Sequence, residues 1–308
     1  FASKAVKLRA DALLALLESN PRTHRTWEDV RQALEAALKL PDMEIRHVEA
    51  LATVYREHLP TSKKRKPEQL ANRLLDSTIE QHPKDPLARL ARYRYRVRYG
   101  KSAGDLRAAN DDLAAAVRLA DEFQQSAHAP IYVAAATKAL QAGNNQRAIE
   151  WLRRAVELAP AEPRPYVLLA EIHRSSRDSD AEEKAIRVLE TAAKRLDHYD
   201  ISVMLPLASL LVETGDLEAG EMHVEQLEKI VGLLHGADRG SAKVGIGLVR
   251  SQILQQRQGP DAAANHLSKL LSDLDVQLAE QRAPALLAPT RVVLAELFAR
   301  LQRADLAI

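Results

Sequence analysis

The chain has 308 residues, of which 51 are Ala and 46 Leu, against 14 Pro, 11 Gly, 12 aromatics and no Cys. Ala and Leu lose little side-chain freedom in a helix, whereas sheets draw on the β-branched and aromatic residues that are scarce here, so an all-α fold is expected. The lack of Cys excludes a disulfide framework, thiolate catalysis and Cys-ligated zinc while leaving the compartment open between cytoplasm and periplasm, and the formal net charge of +2 is a small remainder of large terms.

No stretch approaches the roughly 18–20 consecutive apolar residues of a membrane span, and no basic segment followed by an apolar block opens the chain. The sequence begins at Phe1 and stops at Ile308 inside a helical pattern, which reads as a piece of a longer protein.

In chain order, alternating Leu/Ala faces over roughly 3–19 and 26–40 predict a first helical hairpin, broken at Asn20-Pro21. Ala71, Leu75 and Thr78 mark one later helix face and Ala109, Leu113 and Ala116 another. Their partner helices lie around Ala52 and Ala91, and the loops LPTSKKRKPEQ and GKSAGD absorb the longer connections.

The clearest unit runs from Pro130 to Pro160. Tyr132, Ala135, Ala136 and Ala139 line one helix, Gly143-Asn144-Asn145 supply a turn, and Ala148, Leu152 and Ala155 line the facing helix. Close contact there depends on small residues at Ala136 and Ala148, because a larger side chain would push the axes apart. The same spacing of twelve recurs at Ala208 to Gly220, Ser251 to Ala263 and Ala295 to Ala307, while Ala170 to Ala185 carries three extra residues in a polar turn. On the second helices Leu152, Leu189, Val224 and Leu267 follow the small residue by four, and Ala155, Ala192, Leu227 and Leu270 by seven, which is one buried face. Five of the glycines, Gly232, Gly236, Gly240, Gly245 and Gly247, fall within sixteen residues and read as an extended connection between hairpins.

On these residues the chain resembles the tetratricopeptide repeat family, a helix-turn-helix unit of about 34 residues with a small/large signature and a closing Pro. Residues 130–160 are the best copy, with Tyr132 where the family favours Trp and Ala135, Ala136 and Ala139 where Leu, Gly and Tyr are usual. Tyr166, Leu169, Ala170 and His173 continue it, as do Leu207, Ala208, Leu211 and Gly215-Asp216. The resemblance implies an all-α, right-handed superhelix, or α-α solenoid, of about seven hairpins, in which first helices line a concave groove. A single array over 1–308 is expected: degenerate basic hairpins over 1–128, clear repeats over 129–231, and looser repeats over 232–308 with the last hairpin truncated.

Chemistry is sparse in this sequence. HExxH, GxSxG and Gly-Lys-Ser/Thr are absent, so the motifs for zinc hydrolysis, a serine elbow and a phosphate loop are not encoded. His47 in Glu44-x-x-His47 reads as structural or solvent-facing, and Asp197-His198-Tyr199-Asp200 as a helix-ending turn. No catalytic residue, metal or cofactor is expected.

Charge is uneven, with 20 Lys/Arg against 13 Asp/Glu in residues 1–100 and 24 against 29 in 101–308. The basic part rests on Lys63-Lys64-Arg65-Lys66 and on the helix from Arg89 to Tyr99. At 100° per residue Arg89, Arg92 and Arg96 share one face, flanked by Tyr93 on one side and Tyr99 and Tyr95 on the other. As a first helix, it would present them to the groove, where Arg pairs anions bidentately and stacks on rings.

The family's clamp for a C-terminal carboxylate uses Lys, Asn and Arg on first helices. The matching faces here carry Val133, Thr137, Arg164, Leu168, Glu171, Ser202, Pro206 and Ser209, of which Arg164 alone has donor character, so the resemblance does not extend to that mode. Arg164, Glu171 and Arg174, then Gln252, Gln255 and Gln256, are the polar groove candidates.

The expected role is a non-enzymatic scaffold that binds a protein or peptide, with Arg89, Arg92, Tyr93, Arg96, Tyr99, Arg164, Glu171 and Arg174 as partner-binding residues. Two alternatives accompany it: an anionic polymer, nucleic acid or acidic polysaccharide, on the Arg/Tyr helix, and the ligand- or peptide-sensing half of a regulator.

Overall fold

The computed structural model describes residues 2–19, 27–60, 66–196, 200–232 and 236–280. Among these residues the secondary structure is entirely helical, which matches the composition. The helices are α1 (Ala2–Ser19), α2 (Trp27–Ala37), α3 (Ile45–His58), α4 (Pro67–Gln81), α5 (Pro86–Tyr99), α6 (Ala103–Phe123) and α7 (Ala129–Gln141). They continue as α8 (Asn145–Leu158), α9 (Pro163–Arg174), α10 (Ala181–Arg195), α11 (Ile201–Glu213), α12 (Leu217–Val231), α13 (Gly236–Gln258) and α14 (Pro260–Glu280). Each odd-numbered helix packs on the next, giving seven hairpins among the described residues. Two compact units hold them: Phe1–Ala159 with α1 to α8, and Pro160–Ile308 with α9 to α14.

Local chemistry sets the boundaries. Pro67, Pro86 and Pro163 open helices at a position whose N–H has no intrahelical acceptor. The side chains of Asp85, Asn144, Asp200 and Asp216 accept from the backbone N–H of Leu87, Arg147, Ser202 and Ala219, satisfying donors that each helix start exposes. Ser102 and Asp105 form a reciprocal capping box at the start of α6. Gly143 (φ +73°), Gly215 (φ +94°) and Gly259 (φ +94°) occupy the left-handed conformation that the short turns of the α7–α8, α11–α12 and α13–α14 hairpins require.

The small-residue seams lie where their spacing puts them. Ala136, Ala148, Ala185, Ala208 and Ala263 are each 0–1 % exposed, and Ala170 and Ser251 4 %. At Gly220 an added Cβ would stand 2.5 Å from Val212 Cγ2, so this seam admits no side chain without repacking. Leu152, Leu189, Val224 and Leu267 follow them into the interior. Burying each of these large side chains contributes about 1.5–3 kcal/mol, and the packing is distributed: one cluster joins α1, α2 and α3 around Leu34 and Leu51, another α3, α4 and α5 around Leu75 and Ala91, and a third α11, α12 and α13 around Met204 and Leu227.

The glycine-rich stretch differs from the expectation. From Gly236 onward it is helix α13, and Gly245 and Gly247 are contact points within it. A Cβ on Gly245 would lie 2.4 Å from Leu205 Cδ2 of α11, and one on Gly247 2.4 Å from Leu270 Cδ2 of α14. These glycines bring helices together; they do not loosen a connection. His47 is buried at 1 % exposure, with Nε2 2.9 Å from Asp11 Oδ1 of α1, which makes it structural. Asn20-Pro21, the stretch Lys63 to Arg65, the stretch Asp197 to Tyr199, and the Ala295 to Ala307 pair lie outside the described residues.

Candidate functional site

On α5 the three arginines do share a face, but that face looks at α6. Arg92 donates to Asp112 from Nε (2.9 Å) and Nη2 (2.6 Å) and to Asp76 of α4 from Nη1 (2.7 Å). Arg96 donates from Nη1 to Asp112 (2.6 Å) and to the Ala108 carbonyl (3.2 Å), and Arg89 Nη1 stands 4.0 Å from the same carboxylate. Asp112 is 2 % exposed, so three guanidiniums converge on one buried charge. The sequence expectation that Arg89, Arg92 and Arg96 face the groove is therefore corrected. A buried carboxylate needs compensation, and it draws these cations to the α6 side.

Tyr93 is buried, with its hydroxyl pKa pushed up by desolvation. Tyr99 donates its hydroxyl to Glu57 of α3, and burial plus that carboxylate push its pKa up to about 12. The exposed arginines of α5 are Arg94 and Arg98, which pair with Glu49 (3.1 Å) and Glu57 (2.8 Å) on α3.

The signal for Asp112 was present in the sequence. It is the second residue in the buried stripe Ala109, Asp112, Leu113, Ala116, where an acidic residue requires a cation from a neighbouring helix.

In the second unit α11 packs between the other first helices, α9 and α13. These three helices, with Ala185 and Leu189 of α10, line a pocket of about 510 Å³. Its floor is apolar, with Leu189, Leu205, Leu248 and Val249, and its polar groups are Glu171, Arg174, Ser209 and Gln252. Two sequence candidates, Glu171 and Arg174, thus meet in one cavity with Gln252. Arg174 is held by Glu213 (2.9 Å). Arg164 is exposed near the start of α9 and lies off the pocket, and Gln256 is spent on the Val212 carbonyl (3.1 Å).

Two residues that the sequence reading named without this role, Gly245 and Pro206, shape this pocket. Gly245 lines it without a side chain, leaving volume that any other residue would fill. Pro206 sits inside α11 and has no N–H to give the Ser202 carbonyl, which lies one turn earlier on the same face. The Ser202 carbonyl therefore lacks the donor that an uninterrupted helix would supply. The oxygen of the Gln252 amide is buried with no hydrogen-bond partner, a second unmet polar group beside the cavity.

Among the described residues no cluster of three or more His, Asp or Glu could hold a metal ion, and no helix is long and apolar enough to cross a membrane.

No protein-family model matches the chain, and a comparison with curated protein sequences finds no match. Solved structures do match. The APC/C hetero-tetramer Cut9-Hcn1 superimposes with a TM-score of 0.55 at 16 % identity, over 98 % of this chain and 50 % of that one. Yeast Tom70 gives 0.50 at 16 %, over 96 % and 62 %, and the human IFIT1 dimer with m7Gppp-AAAA gives 0.52 at 14 %, over 98 % and 70 %. The chain spans half the length of the Cut9-Hcn1 chain and under two thirds of Tom70. These are tetratricopeptide-repeat structures, and the chain shares their all-α helical-repeat fold.

Proposed function

We propose that this chain is a non-enzymatic interaction scaffold whose α9/α11/α13 groove holds a segment of a protein partner, extended or helical, by an apolar side chain. The observation that carries the reading is the pocket itself: an apolar floor with a carboxylate and an amide at its edge. A large apolar anchor in such a floor supplies the binding energy, and the polar groups fix its orientation. Residues 160–280 carry 13 Lys/Arg against 20 Asp/Glu, which favours a segment with Lys or Arg beside the anchor. Structures with this fold include one protein-protein assembly, Cut9-Hcn1.

IFIT1 with capped RNA shows the fold beside a nucleic acid, but of the arginines that motivate that reading here Arg92 is engaged by Asp112 and Asp76, and Arg96 gives Nη1 to Asp112. Arg94 and Arg98 are left for it, each already beside a glutamate. It predicts affinity falling steeply with salt, whereas an apolar anchor predicts weak salt dependence.

Panning a random peptide library on the whole chain tests the proposal. Enriched peptides are expected to share a large apolar residue flanked by Lys or Arg, and to lose binding at least tenfold to Leu248→Arg, with circular dichroism confirming that the variant folds. No enrichment, or peptides indifferent to Leu248→Arg, overturns it.

A further inference from the structure

A second cavity, of about 190 Å³, lies in the first unit where α4, α5 and the start of α6 meet. It is roughly six water molecules' share of liquid volume, the size of a small metabolite. Gly100 makes it possible. A Cβ there would stand 2.4 Å from the Arg96 carbonyl oxygen and 2.8 Å from Asp105 Cβ, so only glycine lets α6 turn back so closely against the end of α5.

The walls carry charges of both signs. The cations are Arg56, Arg92, Arg96 and Lys101, and the anions Glu68, Asp76 and Asp105, with Asn72 of α4 beside them. Arg96 spends only Nη1 on Asp112 and the Ala108 carbonyl, leaving Nε–H and Nη2–H without an acceptor among the described residues. The Glu68 and Asp76 side chains are 59 % and 49 % exposed, and each is met by a single arginine, Arg56 and Arg92 respectively.

Tyr95 is the independent sign of a ligand. It lines the same cavity, is 7 % exposed, and its hydroxyl is buried with no hydrogen-bond partner, although the Arg56–Glu68 pair lies close enough to perturb it. A buried hydroxyl without a partner costs stability, and it persists where something else satisfies it. Desolvation raises its pKa, so it stays protonated and able to donate.

We propose that this pocket binds a free α-amino acid, with its carboxylate taken by Arg96 and the Tyr95 hydroxyl and its ammonium by one of the two α4 carboxylates, Asp76 or Glu68. Charge selects this class. A simple anion gains the arginine but also meets the carboxylates, and a doubly charged phosphate meets them with twice the repulsion. A simple cation meets Arg92, Arg96 and Lys101. A molecule that carries an ammonium and a carboxylate on the same carbon can meet both signs at once. This site shares no residue with the groove of the second unit, so the two proposals stand or fall separately.

The test is a titration of the uniformly ¹⁵N-labelled chain, followed by amide chemical shifts, with each of the twenty free amino acids, with acetate and with methylammonium. Saturable shifts at Tyr95, Gly100 and Lys101 are expected with at least one amino acid, with acetate and methylammonium at least tenfold weaker. Tyr95→Phe keeps the ring and the burial but removes the hydroxyl, and should weaken the amino acid about tenfold. The proposal is overturned by no saturable shift with any amino acid, by acetate or methylammonium binding as tightly as the amino acid, or by Tyr95→Phe binding like the parent chain.

Discussion

Arg92 grips Asp112 with two hydrogen bonds, Nε to Oδ2 at 2.9 Å and Nη2 to Oδ1 at 2.6 Å, while Arg96 shares the same carboxylate. Removing Asp112 strands these cations against the interior. Asp112→Ala is expected to cost about 3 kcal/mol, near the low end for a broken buried pair because the arginines keep some solvent. Urea unfolding followed at 222 nm measures it. If the pair acts as a unit, adding Arg92→Met to Asp112→Ala recovers part of the loss, and a purely additive result would contradict that coupling.

Gly100→Ala forces backbone apart, since the nearest obstacle is the Arg96 carbonyl oxygen at 2.4 Å. Gly245→Ala meets a leucine methyl at the same distance, and that side chain can rotate away. The first substitution is expected to cost about 2–3 kcal/mol. The second should fall within about 1 kcal/mol of neutral, since Ala's helix propensity offsets the repacking. Thermal unfolding of the two variants side by side checks the ordering.

Pro206 denies the Ser202 carbonyl its helical partner. Pro206→Ala restores that bond and is expected to raise the stability of the unliganded chain by about 1–3 kcal/mol. The same change should weaken peptides selected on the groove, because the acceptor they would use is withdrawn. A stabilised variant that binds them unchanged would mean that the carbonyl plays no part in recognition.

His58, stacked on Trp27, together with His128 and His266, have pKa values held below the ordinary imidazole value, in each case chiefly by desolvation. The folded chain therefore keeps them neutral at a pH where the unfolded chain protonates them. Stability is fully present above about pH 6.5 and falls as the pH drops through the lowered folded values. The melting temperature should decline between pH 7.5 and 5.5. His128→Gln, at the most buried of the three, should flatten the decline.

The repeat was readable because its determinants are local in kind. Ala136 with Ala148, or Ala208 with Gly220, declare themselves by size and spacing, and the structure buries each pair. The direction in which Arg89, Arg92 and Arg96 point was not readable from their own helix. Their spacing gave one shared face, but Asp112, twenty residues beyond Arg92, decided which neighbour that face would meet. Glycine in α13 misled for the converse reason. A residue without a side chain signals either freedom or contact, and only Leu205 and Leu270 on other helices distinguish the two.

The seams at Ala136, Ala185, Ala208 and Ala263 limit volume while leaving chemistry on the outer faces of α9, α11 and α13 unconstrained. Divergent copies of this chain should therefore keep residue size at the seams, including Ala170 and Ala185 where they reach the pocket wall, while freely exchanging its polar residues Glu171, Arg174, Ser209 and Gln252. Selection for a new partner would then proceed without a toll on folding.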